Sequence, residues 1–280
     1  MIGATRHFLT VVALSAIPCA LDAQFRPART LDYLFVTGAS DARALWVNPA
    51  GLAVLPEASV MGEFVLERPD DETRLAQWTI GLNSRGFSLG YRRDRFENEN
   101  NMGTLRFGLG LPFTQGTLGV GFSWYSAEGD DARDVDVGAL YGLAPSLNVA
   151  ATMRHIGRPT VNGVPLPITF AGGVHWAGLQ GVLQLQAEGQ AMEDRRAGES
   201  GWDLAYRGGA IITIPQISLT LLGNVDVSSD FNIDRVHFGF AVGGRTSATA
   251  VATAMSRMGD PVLNAVSATG VASNVLLGQR

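Results

Sequence analysis

The sequence predicts an all-β protein: a transmembrane antiparallel β-barrel of about 14 strands, with 12 plus a tail as the alternative count. A short N-terminal plug segment containing a helical turn precedes it. Three observations predict this. From Ala58 onward apolar residues recur with a period of two in segments of about nine or ten residues, the length a tilted transmembrane strand needs. The connections alternate between tight turns and longer polar loops. The composition is glycine-rich and charge-poor, with 34 Gly in 280 residues and 17% charged residues, against roughly 7% and 25% in ordinary domains.

The chain opens on the layout of a secretory signal over residues 1–23. Arg6 and His7 precede the apolar run Phe8 to Pro18, and the small residue Ala23 stands before Gln24, the expected mature start. That run is too short to span as a helix, and no later window holds roughly 20 consecutive apolar residues. The reading is an exported chain without a helical anchor. Cys19, the only cysteine, lies inside this segment, with Pro18 where lipidation would want a small residue. The mature chain then has neither disulfides nor thiol chemistry, and a barrel closed by its own backbone hydrogen bonds needs none. A net charge of −5, with Arg supplying all 21 basic residues, leaves no nucleic-acid footprint.

Residues 24–55 are the expected plug or hatch. Leu31, Tyr33, Leu34, Phe35 and Val36 form an apolar patch that ends at Gly38. A helix expected from Asp41 to Trp46 runs into Asn48-Pro49-Ala50-Gly51. There proline disfavours the α region for the residue before it and glycine permits a sharp turn. The bland alternative is a helix stop followed by a turn.

Residues 56–280 carry the strand pattern. Val60, Gly62, Phe64 and Leu66 mark the first strand, Arg74 to Leu82 the second, and Phe87, Leu89 and Tyr91 the third. Thr104 to Leu111, Thr117 to Tyr125, Val135 to Leu143 and Leu147 to Ile156 follow. Then come Ile168 to Trp176, Val182 to Gln190, Trp202 to Ile212, Ile217 to Asp226 and Arg235 to Gly243. Ser247 to Arg257 alternates more weakly, Gly259-Asp260-Pro261 makes a turn, and Val262 to Leu277 returns as the closing strand.

Tight turns are expected at Asn83 to Gly86, Pro112 to Gly116, Ala144 to Ser146, Ala177 to Gly181 and Pro215 to Gln216. Longer loops are expected at Asp94 to Asn101, Ala127 to Asp134, Gly157 to Pro167, Met192 to Ser200 and Ser228 to Asp234. Outer-membrane barrels sort their loops this way, short on the periplasmic side and long outside.

Each strand sets large apolar residues on one face and Gly, Ala, Ser, Thr and occasional charges on the other. In a bilayer the apolar face meets lipid. Trp124, Tyr91, Trp202 and Trp176 fall near strand ends, where an aromatic girdle sits. Tracing strand direction places Arg92, Arg106, Arg154, Glu188, Asp203, Arg207, Arg235 and His237 in the extracellular half of the lumen. They form either a paired, charged vestibule or the ordinary solvating charges of a watery lumen.

The motif Asn48-Pro49-Ala50-Gly51-Leu52, preceded by Asp41-Ala42-Arg43-Ala44-Leu45, resembles the start of FadL-type outer-membrane transporters. Their relatives include the PorV/PorQ-like barrels associated with type IX secretion. The resemblance implies a fourteen-stranded outer-membrane barrel of a Gram-negative bacterium, with an N-terminal hatch and hydrophobic ligands. Only Asn48, Pro49 and Ala50 match the hatch motif itself, and the loops are too short for the ligand-capturing helices of that family.

No metal cluster, phosphate loop or nucleophile elbow stands out, so neither a cofactor nor a metal is expected. His237 with Asp226 or Asp203 is the one conceivable catalytic pair. Two functions follow: passive transport of small hydrophobic molecules across the outer membrane, or a barrel that docks secreted proteins for a secretion-system partner. In both, outer-membrane lipid surrounds the wall.

Overall fold

The computed structural model describes residues 31, 33–67, 72–95, 101–127, 130–161, 164–194, 201–243, 248–257 and 265–274. The expected signal over 1–23 and the turn expected at 259–261 lie outside the described residues.

The strands run β1 (Ala58–Glu67), β2 (Arg74–Ser84), β3 (Phe87–Arg95), β4 (Asn101–Phe113), β5 (Gly116–Ala127), β6 (Asp130–Ala144) and β7 (Leu147–Arg154). Two short strands, β8 (Thr160–Val161) and β9 (Val164–Pro165), pair only with each other. Then follow β10 (Thr169–Gly178), β11 (Leu183–Asp194), β12 (Gly201–Ile214), β13 (Leu219–Ser228), β14 (Ile233–Gly243), β15 (Ala248–Arg257) and β16 (Ala265–Asn274). All except β8 and β9 close into one barrel in which each strand pairs with its neighbours in the chain. Closure is made by β1 on β16, in unbroken register from Ala58↔Asn274 to Glu67↔Ala265. The count is therefore 14, and the weak C-terminal alternation is the closing pair.

The barrel is inside-out. Leu111 is 70% exposed and Val60 and Phe64 56%, whereas the inward Ser88 and Thr104 are 0% and 1% exposed. In water that distribution forfeits the hydrophobic driving force, and in a bilayer it is the only one that leaves no polar row against lipid. The residues 85–86, 114–115 and 145–146 and the 3-10 turns Leu179–Gly181 and Pro215–Ile217 lie at one rim, here the turn rim, with the start of β1. Arg85 and Gly86 both take positive φ, 51° and 87°, as a two-residue hairpin with the sheet's twist requires. The opposite, loop rim carries the remaining connections. Trp124 and Trp202 face outward near the loop rim and Trp176 near the turn rim.

The helical turn expected within Asp41 to Trp46 lies at Ala44–Val47, α1, and stops there because Asn48 is extended (φ −152°, ψ 110°) before Pro49 and the chain continues as a 3-10 turn, Pro49–Ala53. Two elements differ from the sequence reading. The loop expected from Ala127 to Asp134 is mostly strand, since β5 reaches Ala127 and β6 starts at Asp130. There the alternation goes on between polar residues, which hydrophobic periodicity does not register. The loop expected from Gly157 to Pro167 holds the β8–β9 pair.

The N-terminal segment lies inside the barrel. Leu31, Tyr33, Leu45, Trp46 and Leu52 pack with the inward Met61 of β1, Val251 of β15 and Val271 of β16. Met61 and Val271 are directly opposed across the β1–β16 seam, so the closing strands give the lumen an apolar side. Val36 packs on Ala150 of β7 and Ala171 of β10.

Candidate functional site

The site is built from the Asn48–Gly51 turn and the wall that receives it. Asn48 uses all of its amide. Its Oδ1 accepts from the Ala50 N–H at 3.1 Å, capping the 3-10 turn, and its Nδ2 donates to the Val36 carbonyl at 3.0 Å and to Ala139 on β6 at 3.4 Å. Pro49 opens the turn where a proline costs no hydrogen bond. Ala50 is wholly buried. Gly51 is required by space, because a Cβ there would overlap the Ala39 carbonyl and the Ala44 methyl.

The wall answers with glycines on its inner face. A Cβ at Gly119 would overlap the backbone of Pro49 and Ala50, and one at Gly138 the Asn48 side chain. At Gly108 it would come 2.6 Å from both Leu45 Cδ1 and Leu52 Cδ1, and at Gly110 2.8 Å from Ala53 N. At Gly90 it would come 2.8 Å from Trp46 Cζ2. These five glycines of β3 to β6 form one seat, and the glycine-rich alternation of the sequence is its imprint.

Lumenal side chains satisfy the segment's free backbone groups, as buried polar groups require. Glu63 Oε1 accepts from Leu31 N–H at 3.0 Å, Ser59 Oγ from Ala42 N–H at 2.8 Å, and Glu188 Oε2 from Val36 N–H at 2.7 Å. Asn83 Nδ2 donates to the Leu52 carbonyl at 3.1 Å, Arg207 Nη1 to Leu34 at 3.3 Å and Asn224 Nδ2 to Tyr33 at 3.4 Å. The Trp46 ring lies under two guanidinium groups, Arg92 at 5.5 Å and Arg106 at 5.3 Å from its centroid. Within the segment, Arg43 binds Asp41 and donates to the Tyr33 hydroxyl at 3.2 Å. Burial pushes the Tyr33 phenol up, and the neighbouring phenol and Asp41 keep Arg43 charged despite its burial.

The sequence-derived lumenal residues sort into groups. Arg92 and Arg106 meet at Trp46, with Arg92 also bonded to Asp94 at 2.9 Å. Glu188 holds Val36. Arg207 binds Asp226 at 2.6 Å, and His237 Nε2 lies 3.3 Å from the same carboxylate. Arg235 is half-buried and directly opposite Asp226 in the β13–β14 register. Asp203 is exposed on β12, and Arg154 ends β7. Asp226 is a hydrogen-bond partner of His237 and of Arg207, so the three form one lumenal cluster.

A second cluster was not anticipated from the sequence. Arg106 engages Asp136, whose Oδ1 accepts from the His155 N–H at 2.9 Å. His155 Nδ1 lies 2.5 Å from Asp134 Oδ2, and the Tyr125 hydroxyl donates to that oxygen at 2.9 Å. Asp134, Asp136 and His155 hold three ligand-type atoms within 4.8 Å of one another. A metal ion there would stand against the Arg106 guanidinium, so the donor set reads as a charge-balanced network. Extending the alternation Gly142, Gly138 backward to Asp136 and Asp134 is the signal that would have placed both acids inside.

No family model matches the sequence, and no curated protein matches it. Solved structures do match. The Pseudomonas putida toluene transporter TodX superposes with a TM-score of 0.59 at 10% identity, over 85% of this chain and 96% of that one. The Ralstonia pickettii toluene transporter TbuX gives 0.56 at 11% identity, over 85% and 95%. A Pseudomonas aeruginosa FadL homologue gives 0.51 at 10% identity, over 85% and 94%. At such identities the likeness is one of fold, the closed fourteen-stranded antiparallel barrel expected from the sequence.

Proposed function

We propose that the protein is a passive outer-membrane channel for small hydrophobic molecules, with residues 24–55 as its plug. The observation that carries this is the seat: Asn48 to Gly51 fits inward glycines of β3 to β6, and lumenal side chains hold the backbone from Leu31 to Leu52. The fold supports the reading, since the proteins that share it include toluene transporters. The apolar side of the lumen, Met61, Val251 and Val271 against Leu31, Tyr33 and Leu45, supplies an apolar surface for such a solute. The Asp136 cluster stands across the barrel from this side, on β4 and β6, and the Asp226 cluster lies beside this side, on β12 to β14. None of the similar structures named above is a secretion-system protein, and the docking reading is not carried forward.

The test is uptake of labelled toluene by a diderm host that lacks its own hydrophobic-solute channels. The intact chain should raise uptake above the vector level. Vector-level uptake both from the intact chain and from a variant lacking residues 48–51 overturns the proposal.

A further inference from the structure

On the outside of the wall, a groove of about 610 Å³ crosses β3, β4 and β5 near the loop rim. Tyr91, Leu105, Phe107 and Trp124 make its apolar sides, Gly103 its floor, and Arg93 lies at its edge. The aromatic sides are braced: Phe107 and Trp124 meet edge to face with centroids 5.3 Å apart, and Tyr91 leans on Trp78 at 5.3 Å. A Cβ at Gly103 would stand 2.9 Å from the Tyr91 hydroxyl, so any larger residue fills the notch.

Charge is arranged around this groove in one sense. Arg93 and Arg95 follow Tyr91 on the same outward face of β3, and Arg133 stands outward on β6 directly opposite Trp124. Among the described residues none of the three guanidinium groups makes a hydrogen bond or an ion pair. Among the described residues one outward acid stands beside them, Asp131, opposite Ser126. An unpaired Arg row costs several kcal/mol at bilayer mid-depth, of order 2–4 per residue, and little at headgroup level. An aromatic row immediately below it is the mark of that interface. Guanidinium pairs phosphate in a two-pronged, charge-assisted geometry. From β3 to β6 the cations are separated by three strand spacings, roughly 14 Å, more than one phosphate can bridge.

We propose that this groove binds a multiply acylated glycolipid of the outer leaflet carrying two phosphates. One acyl chain lies over Gly103 between Tyr91, Phe107 and Trp124, with one phosphate on Arg93 and Arg95 and the other on Arg133. The proposal rests on the outer-membrane reading above, but not on transport.

The probe is hexa-acylated lipid A with both phosphates, added to the full-length protein in detergent micelles and read by native mass spectrometry. Its fully dephosphorylated form and phosphatidylglycerol serve as comparators. Bis-phosphorylated lipid A should bind at least tenfold more tightly than either comparator. The combined Arg93→Gln, Arg95→Gln and Arg133→Gln variant should lose that margin, and Gly103→Leu should weaken binding with all three arginines present. Both variants should keep the heat-dependent gel shift of a closed barrel and wild-type toluene uptake, so a failed groove and a failed channel give different results. Equal affinity for phosphatidylglycerol, or unchanged lipid A binding in the combined variant, overturns the proposal.

Discussion

Substituting Gly119→Ala asks whether the Asn48 turn closes the lumen. The added methyl projects inward from β5 and overlaps three backbone atoms, the Pro49 carbonyl carbon and oxygen and the Ala50 nitrogen. Backbone cannot rotate out of the way as a side chain can, so the turn must move as a unit. That motion pulls on Asn48, whose Nδ2 bonds to Val36 and Ala139 and whose Oδ1 caps the turn fix its position. Overpacking of this kind costs roughly 1–3 kcal/mol, and with backbone as the obstacle the upper end applies. Since 1.4 kcal/mol is a factor of ten, the undocked population should rise about 100-fold. The barrel itself loses nothing, because alanine is at least as good as glycine in a strand.

The assay is single-channel recording in planar bilayers. Gly119→Ala should raise open probability by about two orders of magnitude. Gly270→Ala is the control, because a Cβ there meets nothing within 4 Å. Wild-type recordings from Gly119→Ala in a correctly folded barrel would refute the reasoning, as would the same increase in Gly270→Ala.

Four further outcomes follow from the same contacts. Trp46→Ala removes a buried ring held under Arg92 and Arg106, typically about 3–5 kcal/mol, and should raise open probability far more than Trp46→Phe does. Glu188→Ala strands the Val36 N–H, about 1–3 kcal/mol, and should speed hydrogen exchange at that amide while leaving the strand amides protected. The Tyr33 phenol is pushed up by burial, so the docked state holds its proton when a released segment would lose it; docking weakens as pH rises past the ordinary phenol value of ~10. Open probability should climb as pH rises above ~10 in the wild type and not in Tyr33→Phe. Asp226→Asn removes the carboxylate that Arg207 and His237 share, a change of up to about 3–5 kcal/mol when a buried pair is broken, and should lower the temperature of the gel-mobility shift.

The barrel was legible in the sequence because lipid enforces strict alternation, and strands such as Thr117 to Tyr125 and Arg235 to Gly243 reappear within two residues of their expected ends. Legibility failed where lipid stops. Beyond Val135 the β6 alternation passes to Asp134, Arg133, Ala132 and Asp131, which carry no hydrophobic signal. Alternation indicates a face for each strand arginine but says nothing of its partner. Arg106 and Asp136 are 30 residues apart and meet only through the register of β4, β5 and β6. Arg207 and Asp226 meet because β12 and β13 set them directly opposite. The role of the glycines was likewise hidden: alternation put Gly108, Gly110, Gly119 and Gly138 on the small-residue face, but only the folded chain shows that the face is a seat.

A plug that can be displaced needs a barrel that does not depend on it, and the hydrogen bonding separates the two. Every strand of the closed sheet has a partner on both sides, so the wall's backbone is satisfied without the N-terminal segment. The segment, by contrast, adds no strand to the barrel. Apart from Asn48 Nδ2 on the Ala139 carbonyl, its bonds to the wall run to side chains, from Glu63, Ser59 and Asn83 on β1 and β2 to Glu188, Arg207 and Asn224 on β11 to β13. Side chains of a water-filled lumen find other partners when the segment leaves, so each such bond is worth about 0.5–1.5 kcal/mol net. A sheet ladder would have made release and unfolding one event. Bonding through side chains keeps them apart, which is the condition for a hatch.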